Sequence, residues 1–288
     1  LPISEPPIVI DRYQFKTDEG GYLKRFPSHL ALLDLESKRE EVLTSGPYDE
    51  SEPAWSPDGR SIAFISNRSE PDPDRTVDTN IYVIEARPGA EPRQVTTYPG
   101  HDMGRPAWSP DGRWIAYYQG EEAKYAAYEL NKLAVVPASG GAGRLLTPSL
   151  DRSGQGDIVW AADGSSLCFV VEDDRASYLA RVPASGGPVE RLTTGRRTVA
   201  WMAPGPAGAF ALLTATASEP GDLHALEKGQ LRRLTRENAW LSEVRLAVVD
   251  DFTAKSKDGT IVNGLVAKPS GFEAGKKYPT ILYIHGGP

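Results

Sequence analysis

Cysteine is nearly absent from this chain of 288 residues, and the single thiol of Cys168 excludes an internal disulfide. Because disulfides mark oxidising compartments, this scarcity favours the cytoplasm, while a periplasmic or secreted location stays open. Long hydrophobic runs are also absent. None approaches the roughly 20 apolar residues that a membrane helix needs, so no membrane partner is expected. Basic residues are too few for a nucleic-acid footprint, because the net charge is -7.

Ligand patterns for a metal or another cofactor are lacking as well. The nearest approach is the acidic stretch with Asp72, Asp74, Asp78 and Asn80, which has neither the sixth-position glycine nor the twelfth-position glutamate of a calcium loop. A solvated loop is the favoured interpretation. Cys168 lies in an apolar run without a neighbouring base, which favours a small core residue over a nucleophile. The sequence therefore predicts no cofactor.

A repeat organises most of the chain. The motif Pro-Ala-Trp-Ser-Pro-Asp-Gly-Arg occurs at residues 53–60 and again at 106–113, and weaker copies occupy 158–165 and 199–205. The tryptophans of the four copies are Trp55, Trp108, Trp160 and Trp201, which places them 53, 52 and 41 residues apart. Self-similarity at a period of about 40–50 residues is typical of solenoids and propellers.

Each repeat divides into four short strands. The Ser-Pro-Asp-Gly sequence after the tryptophan predicts a tight hairpin, since proline presets φ and Asp-Gly tolerates the left-handed conformation. The predicted second strands are residues 61–66, 114–119, 166–171 and 209–214, and the predicted third strands are 81–85, 132–136, 178–182 and 223–226. The predicted fourth strands end in the pairs Val95-Thr96, Leu146-Thr147, Leu192-Thr193 and Leu234-Thr235. Four short strands per repeat form one propeller blade.

Residues 1–243 are therefore predicted to be mainly β, as a β-propeller with TolB/WD40-like four-stranded blades. Strands at 8–15, 30–35 and 41–44 are expected to form one partial blade, and four full blades follow it. Since a closed propeller has roughly four to eight blades, we expect further blades before residue 1, although a ring that closes with these blades alone stays open. The tryptophan rings are expected to pack between blades, and the stretch 121–130 to decorate a loop.

The repeat ends after Trp240, and residues 244–288 have a different pattern. Strands are predicted at 244–253 and 261–268, joined by the hairpin sequence Ser-Lys-Asp-Gly at 256–259. The apolar, β-branched run 280–284 is typical of a strand that is buried on both faces, and it leads into His285-Gly286-Gly287-Pro288. In α/β-hydrolases an HGG-type loop after such a strand supplies a backbone N–H group to the oxyanion hole.

Together these features resemble the prolyl oligopeptidase family of serine peptidases, in its acylaminoacyl-peptidase and dipeptidyl-aminopeptidase-like branch. The resemblance is carried by the Trp-Ser-Pro-Asp-Gly blades, the Leu-Thr blade ends, the Lys-Asp-Gly-Thr hairpin at 257–260 and the terminal His-Gly-Gly-Pro. It implies a propeller followed by the truncated first strands of an α/β-hydrolase domain. It also implies that short peptides pass the propeller and are cleaved near their N-terminus through an acyl-enzyme.

The resemblance assigns the oxyanion-hole N–H groups to Gly286 and Gly287. His285 stands where the prolyl-oligopeptidase and dipeptidyl-peptidase-IV branches carry a tyrosine, and this departure favours the acylaminoacyl-peptidase branch. No Gly-x-Ser-x-Gly elbow is present, and the Ala-Ser-Gly-Gly stretches at 138–141 and 184–187 are predicted blade turns. The catalytic serine, aspartate and histidine are expected downstream, so this fragment is expected to be inactive.

Two other functions stay open, namely a TolB-like propeller that binds proteins without catalysis and a structural propeller without a ligand. Glu121 and Glu122 are candidates to bind the free amine of a peptide, as a glutamate pair does in dipeptidyl-peptidase-IV relatives, although a solvated turn is favoured. Four arginines precede first strands and are candidates to attract substrate carboxylates at a propeller channel, although surface ion pairs are favoured. They are Arg105, Arg152, Arg196 and Arg197. A homo-oligomer also stays open.

Overall fold

The computed structural model describes residues 8–18, 20–23 and 27–284, which are mainly β-strands. The strands are β1 (Lys16–Thr17), β2 (Gly21–Tyr22), β3 (Ala31–Leu33), β4 (Glu40–Val42), β5 (Glu50–Trp55), β6 (Ser61–Ser66), β7 (Asn80–Glu85), β8 (Arg93–Gln94), β9 (Gly100–Trp108), β10 (Trp114–Glu122), β11 (Lys132–Pro137), β12 (Arg144–Leu145), β13 (Gly154–Trp160), β14 (Ser166–Asp173), β15 (Ala176–Pro183), β16 (Glu190–Arg191), β17 (Thr198–Pro204), β18 (Phe210–Ala215), β19 (Asp222–Glu227), β20 (Gln230–Arg233), β21 (Val248–Lys255) and β22 (Ile261–Lys268). Short 3-10 helices span Pro73–Arg75, Ala123–Tyr128, Pro206–Gly208 and Ala239–Glu243.

Four of the described sheets have four strands each, and in all four the strands follow sequence order. We name them blade 1 (β5–β8), blade 2 (β9–β12), blade 3 (β13–β16) and blade 4 (β17–β20). The pairs β1–β2, β3–β4 and β21–β22 form separate two-stranded sheets. The prediction of a mainly β propeller with four-stranded blades is confirmed.

The second and third strands of a blade are its buried centre. In blade 1, every residue of β6 after Ser61 is buried, and Glu85 is the exposed residue of β7. Phe64 and Tyr82 are paired across these strands, and their rings stack with centroids 5.8 Å apart. Strands that are covered on both faces need no polar alternation, which explains their continuous apolar sequences.

The Ser-Pro-Asp-Gly sequence closes the first hairpins of blades 1 and 2 through its own side chains. In blade 1, the Ser56 hydroxyl donates to the Asp58 carboxylate at 2.6 Å and accepts from the Ser61 N–H at 3.0 Å. Gly59 has φ 67°, a value that favours glycine. Ser109 and Asp111 repeat the contact in blade 2 at 2.6 Å. The predicted hairpin turns are therefore confirmed for blades 1 and 2.

The apolar-threonine pairs have a role that the sequence did not predict. Each of these threonines lies just beyond the end of the last strand of its repeat. Its hydroxyl accepts a hydrogen bond from the N–H group of a residue that lies in the adjacent strand of the same repeat or directly before that strand. The bonds are Leu30 to Thr44 at 2.9 Å, Ile81 to Thr96 at 2.8 Å, Leu133 to Thr147 at 3.0 Å, Leu179 to Thr193 at 3.0 Å and Leu223 to Thr235 at 3.0 Å. The predicted fourth-strand ends were thus too late, because a side chain replaces the backbone ladder there.

The N-terminal prediction is partly wrong. Strands β3 and β4 lie where the sequence predicted strands at 30–35 and 41–44, but residues 8–15 form no strand. Their polar contacts go to a side chain instead, since Arg12 and the Gln14 N–H both bond to the Asp74 carboxylate. Ile8 and Val9 are exposed.

The described chain packs as two compact units, residues 1–126 with 135–144, and residues 127–134 with 145–288. In the first unit, an apolar cluster forms around Leu30, Phe64 and Ile84. In the second, Cys168 and Leu212 belong to the corresponding cluster. Burial raises the pKa of the Cys168 thiol to about 11, which fits the predicted core role rather than a nucleophile.

The tryptophans pack less uniformly than predicted. Trp108 of blade 2 donates its indole N–H to the Ala54 carbonyl of blade 1 at 3.1 Å, as expected for a ring between blades. Trp55 and Trp201 are about half exposed, at 53% and 47%, so neither ring is buried between blades. No described helix has the length and apolar composition that crossing a bilayer requires.

Candidate functional site

The C-terminal hairpin leads toward the predicted oxyanion residues. Strands β21 and β22 pair over their full lengths, from Val248 with Lys268 to Lys255 with Ile261. Residues 244–247 follow the 3-10 helix Ala239–Glu243 and form no strand, so the first strand begins at Val248 rather than at the predicted residue 244.

The turn of this hairpin repeats the chemistry of the blade turns. The Ser256 hydroxyl bonds to the Asp258 carboxylate, and the Thr260 N–H donates to the same carboxylate at 3.0 Å. Across the strands, Phe252 faces Gly264, where an added Cβ would come within 2.4 Å of the ring. Glycine at 264 therefore lets the aromatic ring lie flat over its partner strand.

A two-arginine clamp ties the hairpin to blade 3. Arg175, in the turn between β14 and β15, lies 3.4 Å from the Asp251 carboxylate and donates to the Gly264 carbonyl at 3.2 Å. Arg196 forms a second ion pair with Asp251. Asp174 and Arg175 have φ values of 39° and 68°, which cost about 1–2 kcal/mol per non-glycine residue. This left-handed conformation directs the Arg175 side chain toward the hairpin.

The segment after the hairpin differs from the prediction. Residues 280–284 form no strand, and Ile281, Leu282, Tyr283 and Ile284 are 92%, 77%, 87% and 77% exposed. The predicted burial is therefore wrong for this chain. A strand that is buried on both faces needs neighbouring strands and covering helices, and none of the described residues supplies them.

The predicted oxyanion donors Gly286 and Gly287 lie outside the described residues, and so does His285. Their assignment stays a prediction. The described part of the chain ends at Ile284, directly before them.

The four arginines considered for a channel are engaged in intramolecular contacts. Arg105 donates to the Pro53 carbonyl at 3.1 Å, Arg152 pairs with Asp173 at 3.1 Å, and Arg197 donates to the Thr214 hydroxyl at 3.3 Å. Arg196 belongs to the clamp. The favoured interpretation as surface contacts fits this geometry better than substrate capture.

Several of the acidic residues that the sequence offered as ligands form separate ion pairs rather than a common cluster. Glu122 ends β10, is exposed and pairs with Lys124 at 2.9 Å. Asp72 pairs with Arg75 at 3.2 Å, and Asp74 accepts from Arg12 at 2.8 Å. Within the described ranges, no three His, Cys, Asp or Glu side chains are grouped to hold a metal ion.

Sequence reasoning missed a buried charge cluster in the first unit. The Glu50 side chain is fully buried. Its carboxylate oxygens lie 2.8 Å from the Arg68 guanidinium, 2.9 Å from the His29 ring and 2.8 Å from the Thr44 hydroxyl. The Arg68 guanidinium also lies over the Tyr82 ring, 4.7 Å from its centroid. A buried carboxylate needs such partners, because leaving it unpaired costs several kcal/mol.

A second buried carboxylate lacks comparable partners. Asp102 is 0% exposed, and neither of its carboxylate oxygens has a hydrogen-bond partner among the described residues. Burial raises the pKa of Asp102 to about 7, the nearby Thr96 hydroxyl opposes this rise without reaching hydrogen-bond geometry, and the Asp78 carboxylate adds to it. The sequence signal that finds both acids is their position six residues after a blade-end threonine, at 44 and 50 and at 96 and 102.

One cleft of about 610 Å³ lies between the first-hairpin turns of blades 1 and 2. Arg93 lines it and donates to the Ala138 carbonyl at 2.7 Å. Asp58 and Asp111 also line it, and contacts within their own turns lower both pKa values, that of Asp111 to about 2. The lining residues include no histidine or cysteine, so this cleft offers a binding surface rather than a nucleophile and base.

Comparison with known proteins identifies peptidases as relatives, while no family model matches the chain. Dipeptidyl-peptidase 5 of Porphyromonas gingivalis is 28% identical over 241 residues, covering 82% of this chain and 34% of that protein. Peptidase YuxL of Bacillus subtilis is 26% identical over 301 residues, covering 99% of this chain and 45% of that protein. The chain thus spans between a third and a half of the length of these relatives.

Solved structures share the fold. Pyrococcus horikoshii acylaminoacyl peptidase superimposes with a TM-score of 0.74 at 20% identity, covering 96% of this chain and 41% of that one. TolB from Acinetobacter baumannii gives a TM-score of 0.53 at 16% identity, covering 83% of this chain and 57% of that one. The predicted resemblance to the prolyl oligopeptidase family of serine peptidases is confirmed by homologues that are peptidases and by a propeller fold shared with acylaminoacyl peptidase.

Proposed function

We propose that this chain is the substrate-gating propeller region of a serine oligopeptidase, with residues 244–288 as the first strands of its α/β-hydrolase domain. The observation that carries the proposal is the apolar segment 281–284, which is exposed in the described chain and leads directly into His-Gly-Gly-Pro. Four consecutive large apolar residues at 77–92% exposure are an unfavourable surface for a folded protein, and they are typical of a strand that lacks its sheet.

The lengths of the relatives support the same proposal. The matched peptidases are more than twice as long as the region that they share with this chain, which is 34% and 45% of each. A hydrolase sheet of further strands, with helices on both faces, would cover the segment 281–284 and the apolar side chains of the hairpin.

In the proposed mechanism, a serine outside this chain attacks the carbonyl of a short peptide and forms an acyl-enzyme, while a histidine moves the proton and an aspartate orients it. The backbone N–H groups of Gly286 and Gly287 bind the negative oxygen of the tetrahedral intermediate. One such donor contributes on the order of 3 kcal/mol to the transition state. Glycine suits this position because the backbone must approach the substrate closely.

The propeller would act as a size filter. Its blades present rigid turns, which in blades 1 and 2 are closed by a serine and an aspartate of the turn itself, so short peptides pass while folded proteins are held out. The clamp from Arg175 and Arg196 to Asp251 would fix the first hairpin of the hydrolase domain to blade 3. No cofactor enters this chemistry.

Labelling with a fluorophosphonate probe tests the proposal, because the probe reacts with activated serines. We expect the longer protein that contains this chain to be labelled and the 288-residue chain to remain unlabelled. A peptide substrate should be cleaved when free and resist cleavage when the same sequence lies inside a folded protein. A folded longer protein without labelling would overturn the catalytic assignment, and equal cleavage of both substrates would overturn the gating role.

A TolB-like binding module is the second candidate, favoured by the cleft of about 610 Å³ between the turns of blades 1 and 2. This function predicts that the 288-residue chain binds a protein partner and that Arg93→Ala weakens the binding. Under this alternative, the longer protein carries no probe-reactive serine.

A further inference from the structure

Two of the segments that connect one repeat to the next carry an acidic residue at the same distance from the threonine that ends the preceding repeat. Glu50 and Asp102 each follow a blade-end threonine by six residues, Thr44 in one case and Thr96 in the other. Each threonine hydroxyl accepts the N–H of a residue of its own repeat, as described above, so each acid lies in the repeat that follows. Both acids are buried, with exposures of 5% and 0%.

The Glu50 connection shows how a carboxylate is neutralised there. Glu50 pairs with Ser66 across the sheet, and Arg68, two residues further on, reaches the Glu50 carboxylate at 2.8 Å. His29 approaches from the preceding repeat at 2.9 Å. Two nitrogen donors therefore offset one buried charge.

Both nitrogen partners are replaced at the Asp102 connection. Asp102 pairs with Gln119, so the position that corresponds to Arg68 is Glu121. The position that corresponds to His29, directly before the N–H bonded to the threonine, is Asn80. The blade therefore supplies no positive charge at the two places where its neighbour does.

Oxygen-bearing side chains lie beside Asp102 instead, because its backbone bonds to Thr79, the residue between Asp78 and Asn80. The Thr96 hydroxyl lies 3.4 Å from the Asn80 side-chain oxygen, and the Asn80 amide donates to the Asp78 carboxylate at 3.2 Å. Both Asp102 oxygens lack a partner, and no described Lys, Arg or His pairs with Asp78 or Asp102. The Asp78 carboxylate thus lies near enough to act electrostatically on Asp102, and Asp78 is partly exposed, so it faces solvent.

We propose that a calcium ion binds between Asp102 and Asp78, with the side-chain oxygens of Asn80 and Thr96 as further ligands. The ion takes the electrostatic role that the Arg68 guanidinium has at Glu50. Calcium is the cation of choice, because it takes six to eight oxygen ligands in flexible geometry and accepts a bidentate carboxylate. The absence of nitrogen and sulfur donors among these four side chains disfavours zinc. The acidic stretch considered in the sequence thus contributes two of its residues, Asp78 and Asn80, to a site that only the fold completes.

Calorimetric titration of the EDTA-treated 288-residue chain tests the proposal, with calcium chloride as the probe and magnesium chloride and sodium chloride as comparisons. We expect one calcium ion per chain, a rise in the unfolding temperature with calcium concentration, and at least tenfold weaker binding in Asp102→Asn. Glu50→Gln is the matched control, since it alters the equivalent buried acid and should keep the calcium affinity. Asp78→Asn, at a partly exposed position, serves if Asp102→Asn does not fold, and it should weaken binding as well.

Two results would overturn the site. One is the absence of calcium binding at millimolar concentration, which would leave a buried protonated carboxyl. The other is equal calcium binding in the wild type and in both aspartate variants, which would place the ion elsewhere on this acidic surface.

Discussion

The blades and the C-terminal hairpin are built from the same local chemistry, but they differ in what covers them. Both use a turn in which a serine hydroxyl and an aspartate carboxylate bond to each other, at Ser56 and Asp58 and again at Ser256 and Asp258. Strand β6 then buries five of its six residues, whereas the first two residues of β22, Ile261 and Val262, are 58% and 48% exposed. Local sequence therefore determines the hairpin, and neighbouring elements determine whether it belongs to a core.

The largest difference between the two regions should appear with one substitution made in both. Leu212→Ala removes a fully buried side chain of blade 4 and is expected to lower the free energy of unfolding by about 2–5 kcal/mol. Leu265→Ala, at a site that is 53% exposed on β22, is expected to cost less than about 1 kcal/mol. Chemical denaturation measures both. Equal losses would show that the hairpin is packed as tightly as the blades.

The next effect concerns the blade-end threonines. Thr193→Val removes the hydroxyl that accepts the buried Leu179 N–H at 3.0 Å, and it is expected to cost about 1–3 kcal/mol because the N–H stays buried without a partner. Thr253→Val, on the exposed hairpin, is the matched control and should change the unfolding free energy by less than about 0.5 kcal/mol. A neutral Thr193→Val would mean that water replaces the hydroxyl.

A smaller effect is expected at the clamp that joins the two regions. Asp251→Asn removes the charge shared by Arg175 and Arg196, so amide exchange across β21 and β22 should accelerate while global stability changes by less than about 1 kcal/mol. High salt should accelerate exchange in the wild type in the same way. Asp250→Asn is the control, since Asp250 pairs with Lys268 inside the hairpin. Equal effects of both variants would contradict the clamp.

The smallest difference between the two regions is expected in the acid titration of the aspartates in their turns. Contacts with the neighbouring serine, arginine or threonine lower the pKa of Asp111 in blade 2 and of Asp258 in the hairpin to about 2. A lowered folded pKa contributes stability above the ordinary value of 3.8, and this contribution is lost as pH falls through about 2. NMR titration should give both carboxyls the same low pKa. An ordinary value for Asp258 alone would show that the hairpin turn is not formed.

The sequence predicts what depends on local chemistry. The bounds of β6 and β22 agree with the predictions 61–66 and 261–268, because apolar runs flanked by Asp-Gly turns leave little choice. The fourth strands end before their threonines because a side-chain hydroxyl replaces the ladder, which no strand pattern reveals. Residues 8–15 resemble a strand in composition, but their bonds go to Asp74, far along the chain.

The candidate site was less predictable because its features depend on register between distant strands. The sequence shows Asp78 and Asn80 as residues of one acidic loop. Asp102 is far from them in sequence, and it joins them only because β9 packs beside the start of β7. Arg175 shows no motif at all, and its role follows from a left-handed turn that directs it to β21 and β22. The burial expected of 280–284 depends on neighbouring strands, which the described residues do not supply.

Hydrogen exchange of the amides at 280–284 tests the central claim most directly, measured in the 288-residue chain and in the longer protein proposed to contain it. The account predicts rapid exchange in the short chain and strong protection in the longer protein, where the segment would become a central strand of the hydrolase sheet. Equally rapid exchange in both would contradict the assignment of this segment to a catalytic domain.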